Sequence, residues 1–183
     1  KAVGYSQPID KEPHDETSAP NNISQKVIQQ IDGCSILIVD DNTINIDVAC
    51  GALEGLPLII NTAENGVEAL ETLKASESTE HPISCILIDC EMPILDGYQT
   101  CNKIRSGQAG ALFKDIPIIA MTANATIDEK GKCLSAGMND YVSKPIKTQV
   151  LQDTLIKWIL SNYENDAQLS SQAKPETDEL WDR

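Results

Sequence analysis

The sequence predicts an α/β fold: a doubly wound parallel sheet of five strands with helices on both faces. Three observations carry this. Five short apolar runs recur between residues 34 and 163, each without helical spacing, as strands buried on both faces require. Segments of helical length and period separate them, so strand and helix alternate five times. Four runs also end in residues with chemistry: SILIVDD closes with Asp40 and Asp41, ISCILID with Asp89, IPIIAMT with Thr122 and DYVSK with Lys144. In a parallel sheet the carboxyl ends of the strands open into one crevice, where such distant residues meet.

In chain order, strands are expected at 35–40, 58–62, 83–89, 116–121 and 140–143, and helices at 43–54, 66–75, 98–106, 126–136 and 148–161. At about 100° per residue the first helix buries Asn45, Ala49, Ala52, Leu53 and Leu56, which turns Ile44 outward and leaves Val48 on the flank. Asp96-Gly97 marks a turn and the start of the third helix. Gly137 stands where a left-handed residue closes the fourth helix, whereas Gly131 inside it costs about 1 kcal/mol relative to alanine. The last helix carries one buried stripe, Leu151, Leu155, Trp158 and Ile159.

At 183 residues the chain holds one core-bearing domain with tails. Residues 1–33, with Pro8, Pro13 and Pro20, read as a largely disordered linker containing a short helix over 23–31 (ISQKVIQQI). Residues 34–163 form the domain and 164–183 a polar, acidic tail. The chain begins at Lys1, which reads as a piece of something longer. The formal charge is −14 and the basic residues form no cluster, so direct binding to DNA or RNA is not expected. No apolar stretch approaches the ~20 residues that cross a bilayer, and a cytoplasmic setting is expected, including the cytoplasmic part of a membrane-anchored sensor. The six cysteines show no C-x-x-C pairing and mostly lie in apolar runs or helices, as reduced structural thiols do.

Asp40 and Asp41 are adjacent where the first strand ends. Two carboxylates about 4 Å apart repel by roughly 4 kcal/mol at an effective dielectric near 20, and Asp89 adds a third. A cation relieves that repulsion, and an all-oxygen cluster suits Mg²⁺, which shares carboxylates with a phosphate. Taken singly, these are solvated strand-end acids, a surface lysine, a satisfied hydroxyl and a half-buried tyrosine. Together, at four strand ends, they form a site for a divalent cation and a phosphoryl group.

The motifs VDDN at 39–42, DCEMPILDGY at 89–98, MTAN at 121–124 and YVSKPI at 141–146 occur in the order and spacing of response-regulator receiver domains, and residues 34–163 resemble that family. VDDNTIN and MTANA look most like the CheY-like receivers at the C-terminal end of hybrid sensor histidine kinases. The resemblance implies a flavodoxin-like sheet of order 2-1-3-4-5 and a phosphorelay function, in which a phosphohistidine donates to Asp89 with Mg²⁺ and the domain relays the group or switches shape. It implies Asp41 as the direct metal ligand, Asp40 acting through water, and the Glu91 backbone carbonyl as a third protein ligand. Lys144 would pair with a phosphate oxygen, Thr122 would follow the phosphoryl group, and Tyr141 would respond by changing rotamer. The Lys144-Pro145 bond is expected cis, as in the family.

The implied partners are a histidine kinase or a histidine phosphotransfer domain, docking on Ile44, Val48, Pro145 and Ile146. ELWDR near the C-terminus resembles the start of such a phosphotransfer domain. The domain itself would catalyse only its own phosphorylation and dephosphorylation. A nucleotide hydrolase would need a G-x-x-x-x-G-K-[ST] loop, which is absent, and an aspartyl phosphatase usually spaces its acids as D-x-D. An inert receiver-like scaffold stays open as an alternative, which a phosphorylation assay separates.

Overall fold

The computed structural model describes residues 23–123 and 126–172, with residues 163–172 as backbone only. The expected C-terminal tail motif and most of the expected linker lie outside the described residues. Five strands, β1 (Ser35–Val39), β2 (Ile59–Ala63), β3 (Ile83–Asp89), β4 (Ile118–Thr122) and β5 (Asp140–Ser143), form one parallel sheet of order β2-β1-β3-β4-β5. The expected order therefore holds. Six helices accompany it: α1 (Gln25–Ile31), α2 (Thr43–Ala52), α3 (Gly66–Ser76), α4 (Gly97–Arg105), α5 (Ile127–Ser135) and α6 (Thr148–Gln172).

Each central strand feeds two cores by alternation. Ile36, Ile38, Cys85 and Leu87 point to the face covered by α1, α2 and α6, whereas Leu37, Val39, Ile86 and Ile88 point to the face covered by α3, α4 and α5. Burial on both sides explains why β1, β3 and β4 are continuous apolar runs, and why the edge strand β2 is mixed. The chain leaves β1 toward one edge and returns at β3 to build toward the other. Their carboxyl ends flank the switch point where ligands bind in such sheets.

Five helices open on side chains that accept their first free amides: Ser24, Asn42, Asn65, Asp96 and Thr126. Gly137 has φ +91° just past α5, as its position at the end of that helix implied. Lys144-Pro145 is cis.

Four expectations need correcting. In α2 the buried residues are Ile46, Ala49 and Ala52, followed by Leu53, while Asn45 is only half-buried because it is drawn to the site. In α6 the stripe is wider than expected: Gln152 and Ile156 are buried and Trp158 is partly exposed, because α6 packs against both α1 and α2 as well as the sheet. The backbone of α6 stays helical to Gln172 where a tail from residue 164 was expected, since no glycine or proline interrupts 149–172 and polarity alone does not end a helix. The short helix before β1 is part of the packed body, with Ile31 wholly buried. All six cysteines are free thiols, five of them buried.

Candidate functional site

The β1–α2 turn places the first two acids differently. Asp40 is wholly buried and Asp41 exposed. Asp40 Oδ1 accepts from the Asn42 backbone N–H and from Asn45 Nδ2, both at 2.9 Å, and Oδ2 accepts from Lys144 Nζ at 2.7 Å. Asn42 in turn caps α2 by accepting from Ile44 N at 3.0 Å. Three donors hold this buried carboxylate in a fixed orientation.

Asp89 ends β3 and is nearly buried, with Lys144 Nζ 3.1 Å from its Oδ2 and the Glu91 backbone N–H 3.5 Å from Oδ1. Its acidity is lowered: burial pushes the carboxyl up, Lys144 opposes this by charge and hydrogen bond, and the charge of Asp40 pushes it up again. Lys144 shifts up as well. Burial would lower it, but hydrogen bonds and charge from Asp40 and Asp89 together outweigh that loss. The pairing itself raises the lysine and lowers the Asp89 carboxyl, and Asp89 still ends above its ordinary value because burial outweighs the pull of the lysine.

Asp40, Asp41 and Asp89 each offer a carboxylate oxygen, all within 4.8 Å of one another. Three hard oxygen donors around a single lysine leave net negative charge, a donor set that fits a divalent cation such as Mg²⁺. Beside this cluster a crevice of about 130 Å³ is lined by Asp89, Cys90, Glu91, Thr122, Ala123, Glu129 and Lys144. Thr122 ends β4 and Lys144 directly follows the adjacent β5, and the Lys144 N–H donates to the Thr122 carbonyl at 2.8 Å. Gly97 lets α4 pass directly over the end of β3: a Cβ there would lie 2.2 Å from the Asp89 carbonyl oxygen.

Tyr141 stands half-buried on β5 with Lys130 Nζ 5.4 Å over its ring. Of the expected docking residues, Ile44 is 68% and Val48 49% exposed and Pro145 is exposed, whereas Ile146 packs partly against the α2–α6 core. The sequence reading missed Asn45, whose only signal was a polar residue on an expected core stripe. It also missed Glu129, which lines the crevice and accepts the Tyr98 hydroxyl, a bond that holds its carboxyl below the usual range. Cys90, next to Asp89, is a poor nucleophile, because burial pushes its thiol up to about 12.

A switch-point crevice with clustered acids, a hydroxyl and a bridging lysine defines a phosphoryl-handling signalling domain. Comparison gives the family: the response regulator receiver domain matches residues 36–156, and the chain belongs to that family. The hybrid signal transduction protein dokA of Dictyostelium discoideum is 44% identical over 124 residues, 68% of this chain but 7% of that protein. The sensor histidine kinase RcsC of Escherichia coli is 36% identical over 132 residues, 72% of this chain and 13% of that protein. The chain thus matches a small part of these hybrid-kinase relatives. Among solved structures, the receiver domain of sensor histidine kinase PA1611 from Pseudomonas aeruginosa is 37% identical with TM-score 0.60, covering 69% of this chain and 98% of its own, and holds a magnesium ion in its active-site cleft. A putative response regulator from Chloroflexus aurantiacus is 28% identical with TM-score 0.63, covering 70% and 98%. Among the described residues no helix is long and apolar enough to cross a membrane.

Proposed function

We propose that this receiver domain takes a phosphoryl group from a phosphohistidine onto Asp89, within a hybrid histidine kinase phosphorelay. The observation that carries the proposal is Lys144 bound between Asp40 and Asp89, with Thr122 lining the same crevice. A carboxylate oxygen of Asp89 forms the new O–P bond as the P–N bond breaks, and the imidazole keeps the electron pair and takes up a proton. Lys144 turns from the acids toward a phosphate oxygen, and the Thr122 hydroxyl donates to another. Mg²⁺, held by Asp41 and Asp89 with Asp40 through water and the Glu91 carbonyl, would shield the phosphate oxygens from the acids. Tyr141 would follow Thr122 in a rotamer change that α5 and β5 transmit to an output partner, or the group passes onward.

A histidine kinase or histidine phosphotransfer domain is the proposed donor, docking across Ile44, Val48 and Pro145 with Ile146 at the margin; a cytoplasmic location and a phosphotransfer domain after the ELWDR segment belong to the same reading. Incubation with ³²P-acetyl phosphate and Mg²⁺ should label the wild type and not Asp89→Asn. Label persisting in that variant would refute the assignment. Ile44→Asp should slow transfer from a phosphohistidine protein about tenfold or more while acetyl phosphate labelling stays nearly unchanged.

A further inference from the structure

The crevice beside Asp89 holds an acid that stands apart from the cation cluster. Asp40, Asp41 and Asp89 gather their carboxylate oxygens within 4.8 Å of one another, and Glu129 is not of that group. It reaches the crevice from the first turn of α5 and lines the same space as Asp89, Thr122 and Lys144.

Two partners hold it there. The Tyr98 hydroxyl donates to Glu129 Oε1, and Lys132 Nζ lies 3.4 Å from Oε2. Lys132 is 65% exposed and one helical turn away, so solvent screens it and it is a weak counter-charge. Tyr98 is the firmer hold. Its ring packs against the core, and it follows Gly97, whose N–H donates to the Cys90 carbonyl at 3.1 Å. Glu129 is thus drawn from α5 onto an anchored residue of α4. Its side chain is 18% exposed, so its charge acts through less water than that of an ordinary surface acid.

The fold asks for an acceptor at this place, not for a charge. A tyrosine hydroxyl taken from water needs a partner, and the carbonyl of a glutamine of the same length would serve. The bond from Tyr98 holds the Glu129 carboxyl below its usual range, so it is ionised at neutral pH.

That charge falls on whatever enters the crevice. Lys144 is engaged by Asp40 and Asp89, and Lys130 lies over the Tyr141 ring. Asp89, Glu91 and Glu129 therefore line the crevice against Lys144 alone. A divalent cation on the three aspartates would offset their charge and leave that of Glu129 standing at the wall. A cleft lined by one sign of charge focuses its field, and the cost of entry grows with the charge of the entering group.

We propose that Glu129 is a charge filter on the crevice, which guards Asp89 by slowing free phosphodonors according to their negative charge; this rests on the phosphoacceptor function proposed above. The full 183-residue chain is tested as wild type, Glu129→Gln and Glu129→Lys at saturating Mg²⁺. Two ³²P-labelled small donors are compared: acetyl phosphate, and phosphoramidate, whose protonated nitrogen offsets part of the phosphoryl charge. Glu129→Gln, which keeps an acceptor for Tyr98, should be labelled by acetyl phosphate about three- to tenfold faster than wild type, and Glu129→Lys faster again. The gain should be smaller with phosphoramidate, and for both donors it should shrink as KCl is raised. Equal labelling rates in wild type and Glu129→Gln would overturn the proposal. So would a gain that is the same for both donors and indifferent to KCl, which would make Glu129 a support of α5 rather than a filter. A wild type that neither donor labels would overturn the phosphoacceptor function itself, and the filter with it.

Discussion

Lys144 Nζ lies 2.7 Å from Asp40 Oδ2 and 3.1 Å from Asp89 Oδ2, so the lysine bridges the two buried acids and sits closer to Asp40 than to the proposed acceptor. The three-acid cluster is therefore not left to repel itself, as the sequence alone implied. The lysine partly does a cation's work in the resting site. Under the proposed function, phosphorylation would require Lys144 to exchange one partner for a phosphate oxygen, which would couple the chemistry to the β5–α6 loop that carries it.

Replacing Lys144 with methionine leaves two buried carboxylates without their cation and should lower stability by about 2–3 kcal/mol at neutral pH. Mg²⁺ should restore more of the thermal midpoint in Lys144→Met than it adds to the wild type, since the ion then relieves a larger repulsion. Thermal unfolding with and without 10-fold steps of Mg²⁺ reads the difference. An equal Mg²⁺ shift in both proteins would show that the lysine and the ion do not share the same acids.

Gly131→Ala should stabilise the protein by up to about 1 kcal/mol, because a Cβ there meets nothing within 4 Å and the helix gains propensity. Cys133 is the only buried residue of α5, so that helix should exchange its amide hydrogens faster than α2, α3, α4 and the first turns of α6, and gain protection on phosphorylation. In Gly131→Ala the resting protection should rise and the gain on phosphorylation shrink. Hydrogen exchange with and without beryllofluoride checks both.

Asp140 ties the start of β5 to α6: its Oδ2 accepts from Lys157 Nζ and Trp158 Nε1, each at 2.9 Å. Burial acts to push the carboxyl up, but the bonds from Trp158, Lys157 and the Tyr141 amide outweigh it and leave the carboxyl below its ordinary value. A group depressed on folding stabilises the native state above its unfolded value, near 3.9, and that contribution disappears as pH falls through the lower folded value. Wild type should thus exceed Asp140→Asn in stability at neutral pH, and the gap should close only below about pH 4. Urea unfolding at pH 7, 4 and 2.5 measures it; a constant gap would remove the linkage.

Much of the site was legible in the primary structure because its parts are tied to strand ends. Asp89 and Asp140–Ser143 stand where they were expected, and the switch point between β1 and β3 follows from the order of the apolar runs. Burial on both faces leaves a strand no freedom in composition, so an uninterrupted apolar run announces it. The reading was less exact where two demands met on one residue. Helical periodicity put Asn45 on the core stripe, yet Asp40 needed a donor, and the helix turned Ile46 inward instead.

Composition, the alternation of runs and four short motifs by themselves determined the fold class, the sheet order through the family they mark, and that Asp89, Thr122 and Lys144 fall at neighbouring strand ends. Those are properties of local hydrophobicity and chain order, which a linear pattern carries. Only the tertiary structure decided that Asp40 is wholly buried while Asp41 stays in solvent, that Lys144 bridges Asp40 and Asp89, that α1 and the first turns of α6 belong to the packed body, and that Ile94 holds a positive φ in the β3–α4 loop. Each of these depends on distances between elements far apart in sequence, and on clamps such as Gly66 against Leu95, which arise only when the helices are laid on the sheet.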